Sequence, residues 1–179
     1  MSHLFFVTDG QPGAEPRVAW NDSIRWVHWR PTWKQCVPRG FPLKPFAAWW
    51  LLHYLRVFAN RDYGLLAAYD GETVVHRTCV FPPYFRFPFM AKDDLQFGDI
   101  WTAEAYRGRG LARLGVAKAL QEHTRTGRRF WYVTDEGNRA SIRVAERAGF
   151  SLHGRGHRAR RLGIRLLGSF VVDAPEPTP

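Results

Sequence analysis

The segment that most constrains the fold lies between residues 95 and 135. Its first part, LQFGDIWTA (95–103), predicts a strand, and apolar residues at helical spacing predict a helix over about 110–125. Its last part, RFWYVTD (129–135), is apolar on both faces, which is typical of a central parallel strand. Such a βαβ unit crosses over with a right hand and places its two strands in parallel. The sequence therefore predicts a sheet built around one parallel pair.

Further elements flank this unit on both sides in the chain. The predicted strands are 24–31, 63–70, 72–81, 151–159 and 162–172, and the predicted helices are 45–60 and 139–148. Asp70-Gly71 between two β-rich runs is a strong hairpin signal. We expect a single α/β domain over residues 1–172, with a mixed sheet of about six or seven strands and helices on both faces.

The two ends of the chain carry weaker patterns. Residues 1–23 match no regular pattern, and we interpret them as an irregular N-terminal segment. The proline-rich sequence DAPEPTP (173–179) predicts a disordered tail.

The predicted helix at 110–125 begins in an unusual sequence, AYRGRGLARLG, which holds three glycines and three arginines. The first amides of a helix lack intrahelical acceptors and carry partial positive charge. Gly108 and Gly110 leave that backbone open to a bulky anion, and the arginines add positive charge, so the pattern indicates a phosphate site. The P-loop pattern is absent, and Arg113 stands where the dinucleotide fingerprint requires a third glycine.

This run fits a different motif: Arg or Gln, two residues of any type, Gly, one residue of any type, then Gly or Ala. The residues concerned are Arg107, Gly108, Arg109, Gly110, Leu111 and Ala112. They resemble the acetyl-CoA pyrophosphate loop of the GNAT N-acetyltransferases. The later sequence NRASIRVAERAGF (138–150) resembles the segment that follows the next strand in that superfamily. The order of elements over 24–172 is also similar.

The resemblance implies acetyl-CoA as co-substrate and no metal ion. In that family two central strands splay apart around the pantetheine arm, and they correspond here to 95–103 and 129–135. Backbone groups of Ile100, Trp101 and Thr102 would pair with pantetheine amides and polarise the thioester carbonyl. The pyrophosphate would lie on the amides of residues 107–112, and Asn138 would bond the pantetheine arm or the adjacent chain.

The acceptor arrives as an ammonium ion and must lose a proton before it attacks. Asp99 is the only carboxylate in the strand row that it shares with Leu95, Phe97 and Trp101, and burial there would make it a stronger base. A position at a bulge, or a structural pair with an arginine, is an equally weighted alternative. His76 is the second candidate, although a single histidine in a strand is more often structural.

The departing thiolate needs a proton or a stabilising group. Many members of the family use a tyrosine in the helix after the second splayed strand, and that position is Ala145 here. Ser141, Tyr132 or a water molecule could substitute, or the thiolate could leave unprotonated. We expect Ser141, because its helix faces the thiol.

The sequence FPPYFRFPFMAK (81–92) is the main indication of the acceptor. It resembles a region of GNAT-like proteins found with bacterial surface-polysaccharide genes. This resemblance suggests an amino sugar, which could be nucleotide-linked, stacked on Tyr84 or Phe85. The alternative is that this loop packs beneath the sheet as core.

Composition limits the partners less sharply. The net charge of +10 favours an anionic ligand or simply supports solubility. The basic residues of 153–161 alternate along a predicted strand, so nucleic acid is not expected as a partner. The apolar run 46–58 is too short to span a bilayer, and the N-terminus has no basic leader, so we expect a cytoplasmic protein. The tryptophan-rich helix predicted at 45–60 offers a surface for self-association, so a homodimer is compatible with the sequence.

Three functional hypotheses remain from the sequence alone. The first is acetyl transfer to a small amine, with an amino sugar as first candidate. The second is an enzyme that acetylates a protein N-terminus or lysine. The third is a GNAT-like module without catalysis that binds CoA or RNA.

Overall fold

The computed structural model describes residues 2–10, 23–159 and 168–173. The strands of this part of the chain are β1 Ser2–Thr8, β2 Ile24–Trp29, β3 Gly64–Asp70, β4 Thr73–Phe81, β5 Leu95–Thr102, β6 Phe130–Asp135, β7 Ser151–Arg158 and β8 Phe170–Val172. The helices are α1 Leu43–Tyr54, α2 Leu111–His123 and α3 Arg139–Arg147.

The eight strands form one mixed sheet in the order β2-β3-β4-β5-β6-β1-β7-β8. β5 and β6 pair in parallel, and the other ladders among the described strands are antiparallel. The helix α2 connects β5 to β6, as the sequence pattern predicts. The predicted class, a mixed α/β sheet around one parallel pair, is confirmed, with one strand more than the upper expectation.

The additional strand corrects the interpretation of residues 1–23 as irregular, which is wrong for residues 2–8. β1 inserts between β6 and β7, with Phe5 opposite Val133 on one side and Gly154 on the other. Phe5 is fully buried and Phe6 nearly so, because β1 is covered on both faces. Residues 11–22 and the predicted tail after residue 173 lie outside the described part of the chain.

Helices cover both faces of the sheet, as predicted. α2 and α3 pack on one face, where Val116 and Leu120 contact Phe97 and Phe130 in the largest core cluster. α1 covers the other face over β3 and β4 through the fully buried Phe46. Within the described ranges, none of these helices has the length and hydrophobicity that a bilayer crossing requires.

The proline- and aromatic-rich loop between β4 and β5 covers the rest of the second face. Phe87 and Met90 are buried against Trp131 of β6, and Phe87 stacks on Phe170 with ring centroids 5.3 Å apart. The indole Nε1 of Trp131 donates a 2.8 Å hydrogen bond to the buried Asp94 carboxylate. Much of this loop is therefore sheet packing, which was the alternative reading of its sequence.

Gly115 allows α2 to approach the sheet closely. A Cβ atom at this position would lie 2.9 Å from Thr78 Oγ1 and would collide with the His76 ring. A glycine inside a helix costs about 1 kcal/mol relative to alanine. Here that cost permits the contact between α2 and β4.

His123, at the end of α2, is almost fully buried beside His28, with ring centroids 5.3 Å apart. Neither of its ring nitrogens has a hydrogen-bond partner among the described residues. Burial lowers the pKa of His123 from 6.5 to about 4, so its ring is neutral in the folded protein at neutral pH. The pKa of His76 is lowered to about 3, again mainly by burial.

The lowered pKa of His123 predicts that the free energy of unfolding decreases as the pH falls. Above pH 6.5 the ring of His123 is neutral in both states, and as the pH falls toward 4 only the unfolded chain takes up the proton. Between pH 7 and pH 5, His123 alone should lower the free energy of unfolding by about 2 kcal/mol. Urea unfolding at both pH values measures this loss. The variant His123→Leu should reduce the pH dependence. An equal pH dependence in His123→Leu would contradict the assignment.

Candidate active site

The parallel strands β5 and β6 separate after three paired residues. The ladder runs from Leu95–Phe130 to Phe97–Tyr132 and then ends. Beyond that point β5 continues against β4 as far as Thr102, while β6 continues against β1 as far as Asp135. The strands therefore splay, and two cavities lie at the opening between them.

The larger cavity has a volume of about 710 Å³, within the range of ligand pockets. Every residue predicted to hold the acetyl donor lines it. These residues are Ile100, Trp101, Thr102, Arg107, Gly108, Arg109, Gly110, Leu111, Ala112 and Asn138. The structure thus brings together two motifs that are separated by a whole helix and strand in the sequence.

Residues 107–110, called here the glycine-arginine loop, lead directly into α2. Gly108 and Gly110 have left-handed backbones, with φ of 76° and 84°, which glycine adopts without a steric penalty. The bond from Leu114 N to Gly110 O, 3.0 Å long, is the first of the helix, so the amides of residues 111–113 have no acceptor within it. These amides open toward the cavity and can receive an anion.

Two contacts hold this loop in place. Arg107 Nε donates to the Thr102 carbonyl at 3.2 Å. The Tyr106 hydroxyl donates a 2.6 Å hydrogen bond to Asp70 at the end of β3. The loop is therefore anchored at the end of β5 and to the neighbouring hairpin.

Five arginines line the larger cavity, and among the described residues that line it none is acidic. Arg107 and Arg109 belong to the glycine-arginine loop, and Arg113 lies in the first turn of α2. The other two, Arg143 and Arg147, lie on α3, and sequence reasoning missed them. The available signal was that the two arginines stand four residues apart in the helix that follows Asn138, which places both on one face of α3.

The smaller cavity has a volume of about 320 Å³ and shares four lining residues with the larger one: Ile100, Tyr132, Asn138 and Ser141. The two cavities therefore meet at the splayed strands. Asp99 also lines the smaller cavity, as do His3 and Asp135, whose Nε2 and carboxylate oxygen lie 3.2 Å apart. His3 was missed because its segment was interpreted as irregular.

Asp99 does not share a face with Phe97, so that prediction is wrong. Its backbone is left-handed, with φ of 46°, and the β4–β5 register shifts beside it. The carboxylate accepts hydrogen bonds from Arg77 Nε at 2.7 Å and Nη2 at 3.1 Å. Arg77 lies over the Phe46 ring, on the α1 side, whereas Phe97 packs toward α2. The structure therefore agrees with both alternatives, because Asp99 lies at an irregularity of the β4–β5 ladder and pairs with Arg77.

Ser141 and Tyr132 form a pair of hydroxyl groups where the cavities meet, with 2.8 Å between their oxygens. Ser141 is held at the start of α3, where its backbone N donates to the side chain of Asn138 at 3.0 Å. Burial raises the pKa of the Tyr132 phenol, and the bond to Ser141 opposes this shift. The phenol therefore keeps its proton at neutral pH and can donate it. Ala145 is fully buried in the core on the same helix.

His76 lines neither cavity, which removes it as a base in this structure. It is fully buried, and its two ring nitrogens lie 2.8 Å from the hydroxyls of Thr102 and Thr78. Its pKa of about 3, lowered by burial, also makes it a poor proton acceptor. His76 instead supports Thr102 from beneath.

Tyr84 and Phe85 are also absent from the residues that line the two cavities. Tyr84 is largely buried against Phe58 and Phe87, and Phe85 packs on Tyr84. The structure thus brings Asp99 and Ser141 to the splayed strands together with the predicted donor residues. It does not bring His76, Tyr84 or Phe85 there.

The family model described as "Acetyltransferase (GNAT) family" matches residues 24–150. This range begins with β2 and ends just after α3, so it includes the splayed strands, the glycine-arginine loop and Asn138. No curated protein matched the sequence.

Solved structures share the fold. A GCN5-related N-acetyltransferase from Sphaerobacter thermophilus is 19% identical, with a TM-score of 0.56, over 86% of this chain and 49% of that protein. A GCN5-related N-acetyltransferase-like protein from Streptococcus suis is 12% identical, with a TM-score of 0.54, over 87% and 59%. A tandem GNAT protein from the clavulanic acid biosynthesis pathway is 16% identical, with a TM-score of 0.59, over 86% and 50%. The chain thus spans about half the length of these proteins.

Proposed function

Because this chain belongs to the GNAT acetyltransferase family, we propose that it transfers an acetyl group from acetyl-CoA to the primary amine of a small molecule. The observation that carries this proposal is the meeting of the two cavities at the splayed strands. One cavity is lined by arginines and open helix amides, and the other by Asp99 and the hydroxyl pair. An anionic donor and an amine acceptor can therefore approach the same point from different sides.

The larger cavity suits acetyl-CoA, which would supply the activated acetyl thioester. The amides at the start of α2 and the arginines of the loop would bind the pyrophosphate. Backbone groups of Ile100, Trp101 and Thr102 face the opening beyond the β5–β6 ladder and would bind the pantetheine arm. One of their amides would polarise the thioester carbonyl.

Asp99 is the proposed base on the acceptor side. Asp99 lines the smaller cavity, and its side chain is about one quarter exposed. Arg77 fixes its orientation with two hydrogen bonds. The carboxylate would take the proton of the ammonium, directly or through a water molecule, so that the nitrogen lone pair becomes available.

The Ser141–Tyr132 pair is the proposed acid. The pair lies where the cavities meet, and the raised pKa of Tyr132 keeps a proton available for the departing sulfur. Ser141 would transmit this proton or position the phenol. The pair would take the place of the tyrosine that many members of the family have at the position of Ala145.

Removing this acid should slow turnover without weakening donor binding. We expect Tyr132→Phe and Ser141→Ala each to lower kcat by about tenfold, because a poised proton donor contributes to departure of the thiolate. Steady-state kinetics measure kcat, and thermal shift with acetyl-CoA measures donor binding. Arg129→Ala, just before the same strand and outside the lining of both cavities, is the control. Unchanged kcat in both variants would exclude the pair as acid.

The first candidate acceptor is an amino sugar, and support for it comes from the sequence YFRFPFM alone. A two-step experiment tests the function. Acetyl-CoA should first raise the melting temperature of the protein, since a ligand that binds only the folded state stabilises it. A panel of amino sugars, diamines, amino acids and lysine peptides should then identify an acceptor through release of free CoA.

The results separate the functional hypotheses. Turnover with amino sugars or other small amines supports the proposal, whereas turnover with peptides alone would favour a protein acetyltransferase. Stabilisation without turnover on any amine would favour a module that binds CoA and has no catalysis. No stabilisation by acetyl-CoA would exclude both enzymatic hypotheses.

A further inference from the structure

A third cavity, of about 450 Å³, lies at the end of the sheet opposite the glycine-arginine loop. It is bounded by the chain just after β2, by the end of α1 and by Arg61 before β3. At this end of the sheet β2 ends opposite the start of β3, and β4 ends opposite the start of β5. None of its described lining residues lines either cavity at the splayed strands. This cavity is therefore separate from the acetyl-transfer site.

The charge of this cavity is positive. Arg30, Arg56 and Arg61 line it, and none of the described lining residues is acidic. The carboxylate of Asp62, which follows Arg61 in the chain, pairs with Arg128 at 2.6 Å, with Arg125 at 3.1 Å and with Arg30 at 3.9 Å. The cationic charge there exceeds the anionic charge, so an anion would complete the site.

The cavity also holds an exposed aromatic platform. Trp33 is 74% exposed, and its ring centroid lies 3.9 Å from that of Tyr54. The turn that carries it is fixed, since Trp50 Nε1 donates to Thr32 O at 2.8 Å and the Tyr54 hydroxyl donates to Pro31 O at 3.4 Å. A fixed, open indole beside three guanidinium groups favours stacking of a planar ring.

Two further observations point to a ligand. Arg56 follows α1 with a left-handed backbone, φ of 58°, which ends the helix through bonds from Arg56 N to His53 O and from Val57 N to Leu52 O, and its guanidinium forms no ion pair with any described residue. The Nδ1 atom of His53 in the cavity lining is buried without a hydrogen-bond partner in the described part of the chain. A guanidinium without an ion pair beside an unpaired buried ring nitrogen can bind an anionic ligand that accepts hydrogen bonds.

We propose that this cavity binds a nucleoside phosphate, with the base stacked on Trp33 and the phosphate held by Arg30, Arg56 and Arg61. The same chemistry is offered by a free nucleotide and by the 5′-phosphorylated end of a single strand. Planar ring, anionic group and cavity volume agree with this class of ligand. The site is independent of acetyl transfer.

Titration of the full chain with AMP tests the proposal, with binding measured by calorimetry. Trp33→Ala and Arg56→Gly should each weaken AMP binding by about tenfold, because one removes the stacking surface and the other a phosphate ligand. Arg56→Gly relieves backbone strain and should not lower the melting temperature. Arg39→Ala, an exposed arginine elsewhere, is the matched control. Adenosine and inorganic phosphate should each bind more weakly than AMP.

A 5′-phosphorylated oligothymidylate of ten residues distinguishes the two sources. Tighter binding than AMP, lost in both variants, identifies a strand end, and weaker or equal binding identifies a free nucleotide. AMP also resembles part of CoA, so the same variants are tested for stabilisation by acetyl-CoA, which should be unchanged. AMP binding that survives in both variants but is lost in Gly110→Glu would place AMP in the larger cavity and overturn the proposal. Absence of AMP and strand binding at millimolar concentration would also overturn it.

Discussion

Replacing Gly110 with glutamate should weaken acetyl-CoA binding by at least about 100-fold, since it adds both a steric block and a like charge at the proposed pyrophosphate site. Gly110 is the residue immediately before α2, and its backbone lines the larger cavity. A side chain there would extend into the space that five arginines surround, and its carboxylate would pair with them in place of the ligand. Isothermal titration with CoA measures the loss directly.

The control for this variant must carry the same backbone strain. Gly127, with φ of 76° and open space around it, lies in the turn between α2 and β6. Gly127→Glu should therefore lose similar stability, roughly 1–2 kcal/mol for a side chain in the left-handed region, while CoA binding is kept. If Gly110→Glu binds CoA as well as Gly127→Glu does, the pyrophosphate does not lie on this loop.

Exchange of the Asp99 carboxylate for an amide is the second large effect. We expect Asp99→Asn to lower kcat/KM by about 100-fold, because a general base of this kind contributes at least that much to rate. Asparagine tolerates the left-handed backbone of this position and can still accept a hydrogen bond from Arg77. Turnover measured from pH 6 to pH 10 should show partial recovery at alkaline pH, where more of the acceptor is already neutral.

Asp135→Asn is the matched control, because this carboxylate lines the same cavity and pairs with His3. It should change kcat/KM by less than about fivefold if Asp99 is the base. Stabilisation by acetyl-CoA should be unchanged in both variants. A loss in Asp99→Asn that does not recover at alkaline pH would indicate a purely structural role in holding Arg77. Full activity in Asp99→Asn would remove it from the mechanism.

The central elements could be predicted because their signals are local. Asp70-Gly71 marks the hairpin, and Asn138 caps α3 with its side chain, as its position before that helix predicts. The resemblance to the GNAT family also predicted that the ten residues named for the donor would meet at one site, and all ten line the larger cavity. The hairpin and the cap could be predicted because each signal lies within a few residues of the element that it marks.

The failures involve contacts that neighbouring residues do not encode. The Leu4–Val7 run lacks the alternation of a one-faced strand, because Leu4 and Phe6 pack into the core on one face of β1 while Phe5 packs against Phe89 and Phe170 on the other. The side chain of Asp99 leaves its expected face because one left-handed residue breaks the period of two. His76 resembled a base only until both of its nitrogens were found bonded to threonines.

The place of β1 between β6 and β7 has a consequence for how the chain folds. Among the described strands β1 is synthesised first, whereas its neighbours β6 and β7 begin only at residues 130 and 151, so β1 cannot pair with them until they have been made. Until β1 inserts, the edges of β6 and β7 that face it can pair with strands of other chains. Closing the sheet by such distant contacts is slow. Deleting residues 2–8 should therefore favour aggregation over a folded protein with seven strands.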